Sequence, residues 1–212
     1  MRHEYTIADN GVMLRPVRKS DADFIVGLRK RPELAAYIGD TGDLESQHQW
    51  LRRYFEREGD YYFIIERTED QMPLGTIAIY DAQDRRQAEW GRWVLQPGSG
   101  LAVASASLIY RMGFDVLGFQ TLYARVVREN HRVLAFHRNC GLTQTGTQPQ
   151  AVTIGGRSHD LVVFEITRAQ WPGIRERLDR WRGVMSAIAL PPHVPPDCLQ
   201  SVEAHDRQEI CP

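Results

Sequence analysis

The fold is decided by residues 89–102, Glu89-Trp90-Gly91-Arg92-Trp93-Val94-Leu95-Gln96-Pro97-Gly98-Ser99-Gly100-Leu101-Ala102. Glu89 to Leu95 is short and rich in aromatic and branched residues, as a strand requires. Alternation along it predicts Trp90 and Arg92 on one face and Glu89 with Trp93 on the other. Gln96 to Gly100 can only turn the chain. Beyond it Leu101, Ala104, Leu108, Met112 and Val116 recur three, four, four and four residues apart. That spacing predicts a helix laying one apolar stripe on a sheet. Gly118 ends the helix, and Thr121 to Val127 is the next strand. A strand-turn-helix-strand unit of this kind implies a right-handed crossover.

Working outward towards the N-terminus, Leu74 to Asp81 reads as a strand with Ile77 and Ile79 on one face. Tyr61 to Glu66 is almost uninterruptedly apolar, the mark of a strand covered on both sides. Gly11 to Lys19 is predicted to be the first strand, at a sheet edge because of Pro16. Helices are expected from Ser20, with Phe24, Ile25 and Leu28 on one face, and from Leu44 to Glu58. Towards the C-terminus, Asn130 to Asn139 reads as a short helix stopped by Gly141. Thr143 to Gly156 is expected to be a loop, and the segment around Asp160 to Ile166 the last strand. The result is one α/β (α+β) domain over residues 1–167, with a mixed, mostly antiparallel sheet of six to seven strands and about four helices. A basic amphipathic helix at 168–185 and a Pro-containing extended tail at 186–212 follow.

Bulk properties narrow the function classes. The 212-residue chain is 42% apolar, enough for a core of its own. Its formal charge of -1 provides no field to draw it onto nucleic acid or anionic lipid. Cys140, Cys198 and Cys211 have no paired, metal-like spacing, so neither a disulfide framework nor a metal site is expected. The polar start and the lack of a long apolar run predict a cytoplasmic protein that does not span a membrane.

The Gly-rich turn is the leading candidate for chemistry. Its small residues admit a ligand close to the backbone, and the helix behind it presents positive amide ends suited to a diphosphate. It is followed by Arg128-Glu129-Asn130-His131-Arg132-Val133-Leu134-Ala135-Phe136-His137-Arg138-Asn139-Cys140-Gly141-Leu142. Together these stretches resemble the Gcn5-related N-acetyltransferase (GNAT) superfamily over roughly residues 12 to 166. The resemblance implies a sheet splayed between the fourth and fifth strands, acetyl-CoA as acyl donor and no metal. It implies that Gly98, Ser99, Gly100, Leu101 and Ala102 bind pyrophosphate, that Trp93, Val94 and Leu95 line pantetheine, and that Asn130 sits near its far end. Two positions depart from the family pattern. Pro97 stands where the phosphate loop usually begins with Gln or Arg, unless Gln96 takes that place. His137 stands where many members carry the Tyr that protonates the departing thiolate.

The implied reaction is direct attack of an amine on the thioester, with main-chain amides of the splayed strand polarising the carbonyl. His137 and Glu89 are the catalytic candidates, His137 as acid and Glu89 as acceptor of the ammonium proton. The plain alternatives are a histidine packed on its own helix and a solvated strand end. Leu28-Arg29, Arg31-Pro32-Glu33-Leu34, Tyr37, His48, Trp50-Leu51, Tyr62-Phe63-Ile64-Ile65 and Ala88-Glu89-Trp90-Gly91 are similar to acetyltransferases acting on nucleotide-linked amino sugars, a pattern shared with those acting on ribosomal-protein N-termini. That resemblance points to a small-molecule amine, with Arg29, Trp90 and Arg92 at the acceptor. A protein N-terminus, another small amine, a non-catalytic acyl-CoA sensor and a homodimer stay open.

Overall fold

Asn10 and Gly11 adopt φ of 46° and 76°. They form a two-residue turn that pairs Asp9 with Val12 and adds a strand ahead of the expected first one. In the computed structural model, which describes residues 3–39 and 42–189, the strands are β1 (Ile7–Asp9), β2 (Val12–Pro16), β3 (Tyr61–Arg67), β4 (Pro73–Gln83), β5 (Gln87–Leu95), β6 (Thr121–Val127), β7 (Thr143–Ile154) and β8 (Arg157–Thr167). The helices are α1 (Ala22–Arg29), α2 (Pro32–Ala35), α3 (Leu44–Phe55), α4 (Ala102–Arg111), α5 (His131–Cys140) and α6 (Trp171–Ala189).

The eight strands form one sheet in the order β1-β2-β3-β4-β5-β6-β8-β7. Only β5 and β6 run parallel. Eight strands exceed the six to seven expected, and the two not read from the sequence are β1 and β7. The 143–156 segment is therefore not a loop: most of it is an exposed edge strand, joined to β8 through Gly155 and Gly156 at φ 55° and 78°. Its Gln, Thr and Pro residues offer no apolar face, in keeping with their exposure.

Alternation on β3 divides the core. Phe63 and Ile65 join the cluster shared with α4 and α6, while Tyr62 and Ile64 join the cluster beneath α1 and α3. Burying both faces explains the apolar run. The stripe expected to extend to Val116 fails at its end, where Val116 is 48% exposed. Residues Met112–Val116 form a π-helical turn, which rotates the last position off the apolar face. Gly113 lies inside that turn, and a Cβ there would stand 2.5 Å from Leu122 Cδ1, so helix and sheet meet through a glycine.

The helix from Trp171 runs to Ala189, past the expected end at 185. Trp171, Ile174 and Leu178 are buried in the main core, which makes α6 part of the domain's own packing. Asp9 fixes it there, accepting from Arg111 of α4 at 3.0 Å and from Arg182 of α6 at 3.1 Å. The rest of the expected tail, from residue 190, lies outside the described residues. No described helix is long and apolar enough to cross a membrane.

Candidate active site

β5 pairs with β6 only at Gln87–Thr121, Ala88–Leu122 and Glu89–Tyr123. Beyond Glu89 the two strands part, leaving β5 with no ladder partner on its β6 side. The break coincides with a β-bulge, since Gly91 pairs with Ala78 but the next pairing is Val94 with Thr76. Two residues of β5, Arg92 and Trp93, thus oppose Ile77, and Arg92 takes a φ of 48°. The hydroxyl of Thr76 donates to the Arg92 carbonyl at 2.9 Å, satisfying one group that the bulge displaces.

The bulge overturns the alternation expected for this strand. The rings of Trp90 and Trp93 lie on the same side, 5.6 Å apart, within the main core cluster. Arg92 turns instead to the face of Glu89. Trp90 is 2% exposed, against Tyr110 and His137, so its side chain is a core group and not part of an acceptor surface. Nor is Arg92 a solvated charge. Its guanidinium donates to Asp60 at 2.6 Å and lies 5.1, 5.7 and 4.2 Å from the ring centres of Trp50, Tyr62 and Tyr80. An arginine paired and boxed in this way is positioned as a structural cation.

Glu89 is neither exposed nor free. It is 3% exposed, and its Oε2 accepts from Arg125 Nε at 2.8 Å and from the same guanidinium's terminal nitrogen. Tyr80, hydrogen-bonded to the same carboxylate, has its hydroxyl pKa pushed up, first by burial and then by the charge of Glu89. Sequence reasoning missed Arg125, Tyr80 and Asp60. Arg125 had a legible signal, as the one charge in the apolar strand Thr121-Leu122-Tyr123-Ala124-Arg125-Val126-Val127, out of step with the core-facing Leu122, Ala124 and Val126.

Across the splay, Trp93 donates from its indole N–H to Ser105 at 3.2 Å and packs on Phe136 at 5.0 Å, linking the first turn of α4 to α5. Asn130 is the N-cap of α5, its side-chain oxygen accepting from Val133 N at 3.3 Å. Arg29 is half-buried at the end of α1 and donates to the Gly39 carbonyl at 3.3 Å. His137 is 1% exposed among Trp90, Phe136 and Phe164. Burial lowers its pKa to about 4, which leaves a neutral imidazole at physiological pH.

The turn before α4 suits an anion. Gly98 and Gly100 have φ of 76° and 69°, and a Cβ on either would meet nothing within 4 Å. The α4 N-cap, Leu101, provides no side-chain hydrogen bond, and no acid occupies the first turn. No side chain caps its leading amides, although the Ser99 amide ahead of it donates to the Gln96 carbonyl at 3.2 Å. β5 thus carries the parting of the sheet and a bulge just beyond it, and leads into the Gly-rich turn before α4; residues 12–143 match the acetyltransferase (GNAT) domain family.

The chain belongs to the GNAT family. It is an N-acetyltransferase of that family, whose members use acetyl-CoA. FdhC, described as a nucleotide-linked sugar GNAT, superposes with a TM-score of 0.70 at 31% identity, covering 84% of this chain and 98% of its own. The spermidine N(1)-acetyltransferase of Escherichia coli (strain K12) is 23% identical over 174 residues, 76% of this chain and 89% of that protein. The fold also matches a Vibrio cholerae spermidine N-acetyltransferase solved with CoA and spermine, at a TM-score of 0.70 and 18% identity over 77% of this chain and 99% of that one.

Proposed function

We propose that this GNAT protein transfers an acetyl group from acetyl-CoA to the amino group of a nucleotide-linked amino sugar. The observation that carries the acceptor is the 31% identity to FdhC across nearly that protein's whole length. The acceptor face favours the same reading over a polycation. Its buried carboxylates Glu89 and Asp60 are each engaged by an arginine, Arg125 and Arg92, and so offer little attraction to an oligoamine. Arg29, on the same face, supplies positive charge near which a diphosphate is favoured.

Gly98, Ser99, Gly100, Leu101 and Ala102 would hold the CoA pyrophosphate, the uncapped N-terminus of α4 being the feature that fits it. Trp93, Val94 and Leu95 would meet pantetheine along the unpaired side of β5, with Asn130 beyond them. Bound there, acetyl-CoA supplies an activated thioester. The unpaired β5 main chain presents hydrogen-bond donors to a developing oxyanion. Glu89, fixed by Arg125, accepts the amine proton through water, and His137, buried on α5 against Trp90, is the candidate hydrogen-bond donor towards the thiol end.

Incubation with acetyl-CoA and a panel of nucleotide-linked amino sugars, polyamines and short peptides tests this reading. Thiol release with the sugar nucleotides alone supports it. Release with spermidine alone would overturn the acceptor assignment.

A further inference from the structure

Arg92 holds a left-handed backbone, φ 48°, within a β-strand. That conformation is costly for a residue with a Cβ and persists only where the surroundings impose it. Asp81 and Gln150 take similar values at irregularities of β4 and β7, but both are exposed, whereas Arg92 is half-buried and tied at both ends. Its carbonyl accepts from the hydroxyl of Thr76, a residue with no exposed surface. Its guanidinium donates to the buried carboxylate of Asp60 and lies over the rings of Trp50, Tyr62 and Tyr80. Asp60 stands just ahead of β3, Tyr62 is in β3, Tyr80 in β4 and Trp50 in α3. One side chain therefore joins β5 to three other elements.

Bulge and side chain depend on each other. In an unbroken ladder Arg92 would share the face of Trp90 and could not enter this box. Only the extra residue in β5 turns it to the face where Asp60 and the three rings lie. The contacts of the guanidinium thus favour the bulged backbone over the regular one, and offset the cost of the left-handed φ.

We propose that Arg92 is a positioning residue for acetyl transfer: its guanidinium, seated among Asp60, Trp50, Tyr62 and Tyr80, fixes the bulge and so sets where the main chain of Trp93 to Leu95 lies along the parted edge of β5. Arg92 acts through the backbone that follows it. Main-chain donors stabilise an oxyanion only at the right distance and direction, so a relaxed bulge lowers turnover. Affinity for acetyl-CoA depends instead on the pyrophosphate turn at residues 98–102. The effect on turnover rests on the acetyltransferase reading above, but the anchoring of the bulge does not.

Arg92→Ala and Arg92→Gly separate this role from packing, because both delete the guanidinium. Alanine is strained at a φ of 48°, whereas glycine adopts it freely; in a regular strand glycine is the weaker residue. Backbone chemical shifts and amide–Hα couplings of the ligand-free full chain should report a left-handed residue 92 in the wild type and in Arg92→Gly, and an extended one in Arg92→Ala. With an acceptor that the wild type acetylates, kcat should fall about tenfold in Arg92→Ala and less than about threefold in Arg92→Gly, with KM for acetyl-CoA within about twofold in both. Should Arg92→Ala fold poorly, Asp60→Asn removes the counter-charge alone and should lower kcat in the same direction, with KM again unchanged. A left-handed residue 92 in Arg92→Ala, equal kcat in the alanine and glycine variants, or unaltered kcat in Asp60→Asn would overturn the proposal. A bulge that relaxes in Arg92→Ala, in a protein whose wild type transfers no acetyl group, would refute the acetyltransferase reading and leave the anchoring of the bulge standing.

Discussion

Glu89 and Arg125 form an ion pair across the point where β5 and β6 part. Glu89 is the last residue of β5 paired with β6, and Arg125 lies two residues beyond its partner Tyr123, yet its guanidinium reaches back to the carboxylate. The pair therefore closes the vertex of the splay. Arg125→Met would leave a buried carboxylate without its counter-charge. Because the arginine side chain is 35% exposed, solvent screens part of the loss, and the expected destabilisation is about 2 kcal/mol in urea unfolding. Adding Glu89→Gln to Arg125→Met should restore part of it, which a simple loss of arginine packing would not allow.

Gly100→Val should raise the dissociation constant of acetyl-CoA by at least about tenfold, or 1.4 kcal/mol. The cause is local. Gly100 adopts φ 69°, where a branched residue is strained, while the protein itself leaves open space around it. Part of that strain, about 1–2 kcal/mol, should also show in thermal unfolding without ligand, and titration calorimetry on the folded variant reads the binding loss separately.

His137 makes the fold sensitive to acid. Its folded pKa of about 4 lies below the ordinary 6.5, so between those values the unfolded chain takes up a proton that the native state refuses. Stability is full above pH 6.5 and falls as the pH drops towards 4, by about 3 kcal/mol from this group. His137→Phe should flatten that part of the stability profile in urea melts. It should also lower turnover with little effect on acetyl-CoA affinity.

Gly113→Val should destabilise the fold by about 1–3 kcal/mol. Its Cβ would collide with Leu122, itself fully buried and unable to swing aside. Differential scanning calorimetry of the purified variant checks this directly.

Much of the domain was legible because periodicity reports burial. The apolar run at Tyr61–Glu66, the stripe from Leu101 to Met112 and the Gly98–Gly100 turn each lie where the pattern placed them. What escaped obeyed other rules. β1 and β7 are edge strands with little to bury, and their signal was turn chemistry at Asn10-Gly11 and Gly155-Gly156. The bulge at Arg92 reversed the facing of Arg92 and Trp93, and no alternation rule anticipates an extra residue. Glu89 was legible as a candidate but its setting was not, because its partners Arg125 and Tyr80 come from neighbouring strands. His137 was singled out by the family resemblance, whereas its burial among Trp90, Phe136 and Phe164 is a product of tertiary packing.

The most direct test of the central claim is calorimetric titration with acetyl-CoA, followed in the same sample by thiol release on addition of nucleotide-linked amino sugars. The account predicts saturable binding that Gly100→Val weakens, and release on adding at least one of these acceptors. Failure of the wild-type protein to bind acetyl-CoA would contradict it.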